Sequence, residues 1–380
     1  MSSMLKLFLL IVLFYSSAVV LSQSVVVENL PGFWGKLPFR LETGYIGVGE
    51  SEELQLFYYF IESERNPEYD PLILWLTGGP SCSGFSGLVY EIGPLSFDFA
   101  SSGGSIPTLI LNPYSWTKVA SIIFLDQPAG SGFSYAETSE AYNSSDKLAV
   151  AHIYEFLKKW LINHPKYLNN SLYVAGDSYA GITVPLVVNE LYNGNPLTDV
   201  YADFNGRISH AHRMGLLSDK LYQNNNYRFS YNWANNKFVQ KALHVREGTM
   251  MEWVRSNSSM TYDFDYNQTV SYTFDVKTTV NYHQKFTHKS CRALIYSGDH
   301  DMVIPHTRTE EWIDSLQLFV QSDWRPWFVE GQIAGYTMEY FHGDYELTYA
   351  TVKGAGHTAP EYKPLQCLSM LERWFSNSSL

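Results

Sequence analysis

The chain has 380 residues, with 26 Lys and Arg against 38 Asp and Glu and a formal charge of −12. An acidic protein does not suit a nucleic-acid backbone or an anionic membrane, so neither is expected as a partner. Cys82, Cys291 and Cys367 allow at most one internal disulfide, and no His/Cys spacing resembles a zinc site; no metal and no cofactor is expected.

The chain opens MSSMLKLFLLIVLFYSSAVVLSQS. Lys6, the apolar run from Leu7 to Tyr15 and the mostly small residues up to Ser22 read as a secretory signal peptide cut near Ser22 or Gln23. The run is too short to span a bilayer with ease. Residues 1–23 are therefore assigned to a leader and 24–380 to a single domain, destined for the vacuole or the cell exterior. Sequons at Asn143, Asn169, Asn257, Asn267 and Asn377 predict glycosylated surface positions.

Five short apolar runs stand before turn-like residues, at 71–79, 120–128, 171–178, 292–301 and 347–357. Their near-continuous apolarity predicts parallel strands covered on both faces. Between them, Val150, Ile153, Leu157, Trp160 and Leu161 recur at helical spacing over 146–165. Ser145 caps that helix and Pro165 stops it. ITVPLVVNELY predicts the next helix, with Pro185 in its first turns. Alternating strands and helices predict a doubly wound α/β sheet, whose sites form at the carboxyl ends of strands. The less regular stretch from Asn193 to Asn236 is expected to be an excursion from the core.

VAGDSYAG (174–181) begins just after SLY, at the end of the third predicted strand. Gly176 and Ser178 fit a nucleophile elbow, in which a strand turns sharply into a helix and exposes the serine; Ala180 stands where the usual second glycine would be. Such a serine needs a base, and the base an orienting acid. GDHDM (298–302) and GAGHTAPEYKP (354–364) follow the last two predicted strands in the required order. His357 is the candidate base, and spacing leaves the acid open between Asp299 and Asp301. LTGGPSCSG (76–84) places a glycine pair at a strand end, where its N–H groups could meet an oxyanion; Tyr179 would donate the second N–H.

These segments, with ETGYIGVGE (42–50), DQPAGSGFSY (126–135), NGNPLTD (193–199) and YSGDHDMVIP (296–305), resemble the serine carboxypeptidase family, in particular its plant serine carboxypeptidase-like branch. The matches span nearly the whole mature chain. The resemblance implies an α/β-hydrolase fold, Ser178, Asp301 and His357 as a triad, and Gly79 and Tyr179 as the oxyanion hole. It implies that Thr77, Gly78, Glu91 and Asp177 bind substrate. Thr77 and Asp177 replace an asparagine and a glutamate that, with Glu91, would hold a terminal carboxylate in the peptidases. TGGP and GDSY instead resemble the acyltransferase members, which take the acyl group of a 1-O-acylglucose. The implied substrate is a small acyl ester, with acid-pH release of C-terminal amino acids from a peptide as the alternative.

The chain also departs from the family. The partner expected for Cys82 falls at Ser256, and Cys291 and Cys367 are left as a candidate pair. Ser81 stands where the family usually has a glycine beside the oxyanion turn, and a serine would strain that turn if φ were positive there. The chain is shortened before NGNPLTD and again before NNNYRFSYNWANN, where a segment covering the site is expected. A catalytically impaired secreted glycoprotein is the further alternative. HAHRM (210–214) is expected to start a helix, WRPWF (324–328) to be core or pocket wall, and DQPAGSGFSY to line the site.

Overall fold

Each of the apolar runs folds as a strand, and the pattern of their burial shows why. The structure, a computed structural model, describes residues 24–100, 106–193, 227–250, 252–257, 262–263 and 272–380. In chain order the principal strands are β1 (Val25–Val27), β2 (Leu41–Val48), β3 (Leu54–Ile61), β4 (Leu72–Leu76), β5 (Ser121–Leu125), β6 (Leu172–Gly176), β7 (Arg292–Gly298), β8 (Phe319–Val329), β9 (Gln332–His342) and β10 (Tyr345–Val352). Every residue of β4 and β5 is buried. Ile73, Trp75, Ile122 and Phe124 enter one core, while Leu72, Leu74, Leu76, Ile123 and Leu125 enter another on the opposite face. A strand covered on both sides has no polar face, so its sequence does not alternate. Each fully buried aliphatic side chain there contributes about 1.5–3 kcal/mol.

The first ladder runs β1-β2-β3-β5-β4-β6. Its β5-β4-β6 portion is parallel, and β1, β2 and β3 add to it antiparallel. The second ladder runs β7-β10-β9-β8, with β7 and β10 parallel and the β8–β9–β10 meander antiparallel. The fold is that of an α/β-hydrolase. Among the described residues no ladder hydrogen bonds join β6 to β7, so the two neighbouring edges face a slot. The cores nevertheless run across it. Trp374 packs edge-on against Tyr173 of β6 at 5.3 Å, and its carbonyl accepts from the Arg292 guanidinium of β7.

Helix α1 (Asp146–Asn163) begins at Ser145, whose hydroxyl accepts from the Leu148 N–H, and ends before Pro165. Helix α2 (Ala180–Asn193) starts two residues earlier than the sequence suggests, so Pro185 lies in its second turn. Helices α3 (His306–Ser315) and α4 (Pro364–Phe375) follow β7 and β10. The Asn193–Asn236 excursion, its shortened segments and HAHRM fall mostly on 194–226, outside the described residues; the expected leader at 1–23 and Asn267 also lie outside them.

Several expectations are corrected. Cys291 and Cys367 are both free thiols. Cys367 lies in the core on one face of the sheet and Cys291 packs against the core on the other, so the backbone separates them. Ser81 is not strained, because the positive φ of its turn (+119°) falls on Gly79. DQPAGSGFSY does not line the cavity. Instead the wholly buried Asp126 accepts from the Ser83 hydroxyl and from the Gly84 and Phe133 N–H groups, bracing the loop after the glycine pair. In WRPWF, Trp327 is core and donates to the Thr351 carbonyl, while Trp324 is exposed. Asn143, Asn169 and Asn377 are exposed, but Asn257 is half-buried and its amide donates to the Gly130 carbonyl at 2.8 Å.

Candidate active site

The turn after β6 carries Ser178 in the left-handed region, with φ of 54°. Non-glycine residues adopt this conformation only when their surroundings impose it. Here the crowding is explicit. A Cβ on Gly176 would strike the Leu76 carbonyl oxygen and crowd the Ala180 methyl at 2.6 Å, so both flanking positions must be small. A Cβ on Gly78 would lie 2.7 Å from both the Ser178 Cβ and the Tyr179 nitrogen. The glycine pair and the elbow are therefore in contact, although a hundred residues separate them. At Gly79 a Cβ would meet the Ser81 nitrogen at 2.5 Å and the Cys82 nitrogen at 2.6 Å.

Three strand ends then converge. His357, after β10, places Nε2 2.8 Å from the Ser178 hydroxyl and Nδ1 2.9 Å from Asp301 Oδ2, after β7. Asp301 is buried, and its other oxygen accepts from the Val303 and Ile304 N–H groups at 2.7 and 3.2 Å. Four lone-pair directions are thus largely used, which holds the carboxylate facing the imidazole. Asp299 points elsewhere and accepts from the Gly354 N–H at 2.6 Å. The two aspartates that spacing leaves open are separated by geometry.

A cavity of about 1830 Å3 opens over this chain of bonds. Gly79, Asp177, Ser178, Tyr179, Asp301 and His357 line it. Thr77 and Glu91 are buried and do not line it. Asp177 Oδ1 accepts from the Gly78 N–H at 3.2 Å. Both oxygens of Glu91 and the hydroxyl of Thr77 lack hydrogen-bond partners among the described residues. Burial first, then the neighbouring Asp177 charge, pushes the Glu91 carboxyl well above the usual range, with Arg255 acting the other way. Burial also raises Asp177, offset by the Gly78 N–H.

Arg255 is a residue that the sequence reading missed. Its guanidinium lies 3.6 Å over the Tyr227 ring, close enough to Glu91, Asp177 and Cys82 to bias their charges. Its Nε has no hydrogen-bond partner among the described residues. The local signal is faint: WVRSN carries no motif that marks the arginine, and its Ser256 lies across an antiparallel bridge from Cys82.

The serine carboxypeptidase family profile (peptidase S10) matches residues 31–232 and 222–377. The chain belongs to the serine carboxypeptidase family. It is 41% identical to serine carboxypeptidase-like 17 of Arabidopsis thaliana, covering 100% of this chain and 98% of that one, and 43% identical to serine carboxypeptidase-like 13, covering 100% of both. The first alignment spans 448 positions against the 380 residues here, so the relative carries segments that this chain lacks. Among solved structures, Kex1, a prohormone-processing carboxypeptidase of Saccharomyces cerevisiae, superposes with a TM-score of 0.69 at 17% identity, covering 89% of this chain and 91% of that one. That likeness establishes the fold. The chain is a serine hydrolase, and among the described residues no helix is long and apolar enough to cross a membrane.

Proposed function

We propose that the chain is an acyl-transferring member of this family that works through a Ser178 acyl-enzyme. The observation that carries the reading is the bonded series Asp301–His357–Ser178 on a left-handed elbow against Gly78. In the first half-reaction the Ser178 oxygen attacks the acyl carbonyl of a 1-O-acylglucose and its proton passes to His357 Nε2. The imidazolium then protonates the departing anomeric oxygen. An acceptor alcohol or amine next gives its proton to Nε2 as it attacks the acyl-enzyme, and Ser178 recovers its hydrogen. Asp301 orients the ring and stabilises its charge, while the N–H groups of Gly79 and Tyr179 meet the oxyanion.

Thr77 and Asp177 favour transfer over peptide hydrolysis. Threonine has no amide donor for a terminal carboxylate, and the shorter Asp177 is engaged by Gly78 rather than by Glu91. The leader at 1–23 supports a secretory route, to the vacuole or the exterior, and the exposed Asn143, Asn169 and Asn377 are the sequons best placed for glycans.

Fluorophosphonate labelling of the full chain beside Ser178→Ala tests the nucleophile. Labelling confined to the wild type is expected, and an unlabelled wild type overturns the reading. Incubation with a 1-O-acylglucose and an alcohol, against a blocked dipeptide at acid pH, then tests the substrate class. Efficient release of C-terminal amino acids would replace transfer with carboxypeptidase action.

A further inference from the structure

The turn that carries Ser178 is held from a second direction by a carboxylate that takes no part in the steps above. Asp146, the first residue of α1, is 2% exposed. Its Oδ1 accepts from the Tyr179 hydroxyl at 2.6 Å and from the Tyr272 hydroxyl at 3.0 Å, and its Oδ2 from the Val276 N–H at 2.9 Å. The Tyr179 ring meets Phe274 edge-on at 5.4 Å, and Phe274 meets Tyr272 at 5.5 Å. A few residues on, the Thr279 hydroxyl donates to the Gly181 carbonyl at 3.0 Å. The 272–279 segment thus lies over the elbow, and Asp146 joins it to Tyr179.

Tyr179 has two duties under the proposed function. Its peptide N–H, beside Gly78, is one oxyanion donor, and its side chain is the lever by which that peptide can be held. A left-handed residue immediately before it, Ser178 at φ 54°, can relax by rotating the same peptide. A short bond to a buried carboxylate at the far end of the tyrosine resists that rotation. We propose that Asp146 is a positioning residue for acyl transfer, gripping the Tyr179 hydroxyl so that the N–H after the nucleophile stays aimed at the oxyanion. The inference rests on the acyl-enzyme reading and adds to it the residue that sets the geometry of one donor.

The bland alternative is a helix-start acid that merely satisfies two buried phenols. Kinetics of the full chain separates the two. Asp146→Asn and Tyr179→Phe should each lower kcat and the fluorophosphonate labelling rate by roughly ten- to a hundredfold, less than the loss of a whole oxyanion donor. KM should change little, because the aim of the N–H matters in the transition state. The double variant should lose no more than the worse single variant, since both remove one contact. Tyr179→Phe keeps the ring packed on Phe274, so it tests the bond even if Asp146→Asn folds poorly. Tyr272→Phe, which removes a different donor from the same carboxylate, should lower Tm with a labelling rate near wild type. Singles that melt early but keep wild-type kcat, or losses that multiply in the double variant, would overturn the positioning role. A wild type that does not label would overturn the acyl-enzyme reading itself.

Discussion

Ser256 stands across an antiparallel bridge from Cys82, at the position where the family resemblance leads one to expect a partner cysteine. Residues opposed in this way have Cα atoms about 4.5–5.5 Å apart, inside the range a disulfide needs. Ser256→Cys should therefore form a bond with Cys82 on oxidation and reduce the three free thiols to two. The closed loop is long, so about 2–4 kcal/mol of stability is expected. Thiol titration and a redox-dependent rise in Tm check it. A Tm indifferent to reductant would show that the bridge geometry does not accept the bond.

Asp299 and Asp301 are two residues apart and have different partners. Asp301→Asn should drop kcat by about 10⁴ with little change in Tm, because the imidazole loses its orienting charge. Asp299→Asn should cost about 1 kcal/mol through the weakened bond to Gly354, with a much smaller kinetic effect. Steady-state kinetics and melting of the pair check this. Equal kinetic losses would remove the distinction.

Asp126 predicts a pH dependence of stability. Burial raises its carboxyl to about 7, against the lowering effect of the Ser83, Phe133 and Gly84 donors. The unfolded value is about 3.9. The folded state thus binds the proton more tightly, and this contribution is full below about pH 4 and lost as pH rises to about 7. Burial likewise raises Asp146 to about 6, beside Tyr179, Tyr272 and Asp275, the last lying 3.7 Å from the Lys147 ammonium. Its contribution has the same sign. The wild-type Tm should fall between pH 4.5 and 7.5, and the fall should be smaller in Asp126→Asn. Parallel melting curves across that range would rule out Asp126 as a source.

Under the proposed function, two side chains set the substrate preference. Thr77→Asn with Asp177→Glu restores an amide donor and a longer acid beside Glu91. A regained hydrogen bond to a charged carboxylate is worth about 1.5–3 kcal/mol, at least tenfold in rate. Release of C-terminal residues from a blocked dipeptide near pH 5 should rise by roughly that factor. No gain in the double variant would place carboxylate capture elsewhere.

The parallel strands were legible because burial on both faces writes itself as unbroken apolar runs, such as LILWL and SIIFL. The β8–β9 hairpin was not. Its register shifts between Val320 and Ser322 and again between Ser322 and Arg325, which breaks the alternation a half-exposed strand would show. Motif order led to Ser178 and His357, and geometry separated Asp301 from Asp299. Arg255 and Asp146 were illegible for a simpler reason. Their partners lie far away in sequence, and an acid at a helix start is common enough to pass unnoticed.

Ser178 hangs from the first ladder, and Asp301 and His357 from the second, with a slot between β6 and β7. Under the proposed function, chemistry therefore gauges the registry of two separately laced halves. A small slippage between them would silence the enzyme while every helix and strand remained intact. Activity should fade at a lower temperature than the circular dichroism signal, so heat would disarm this molecule before it unfolds it.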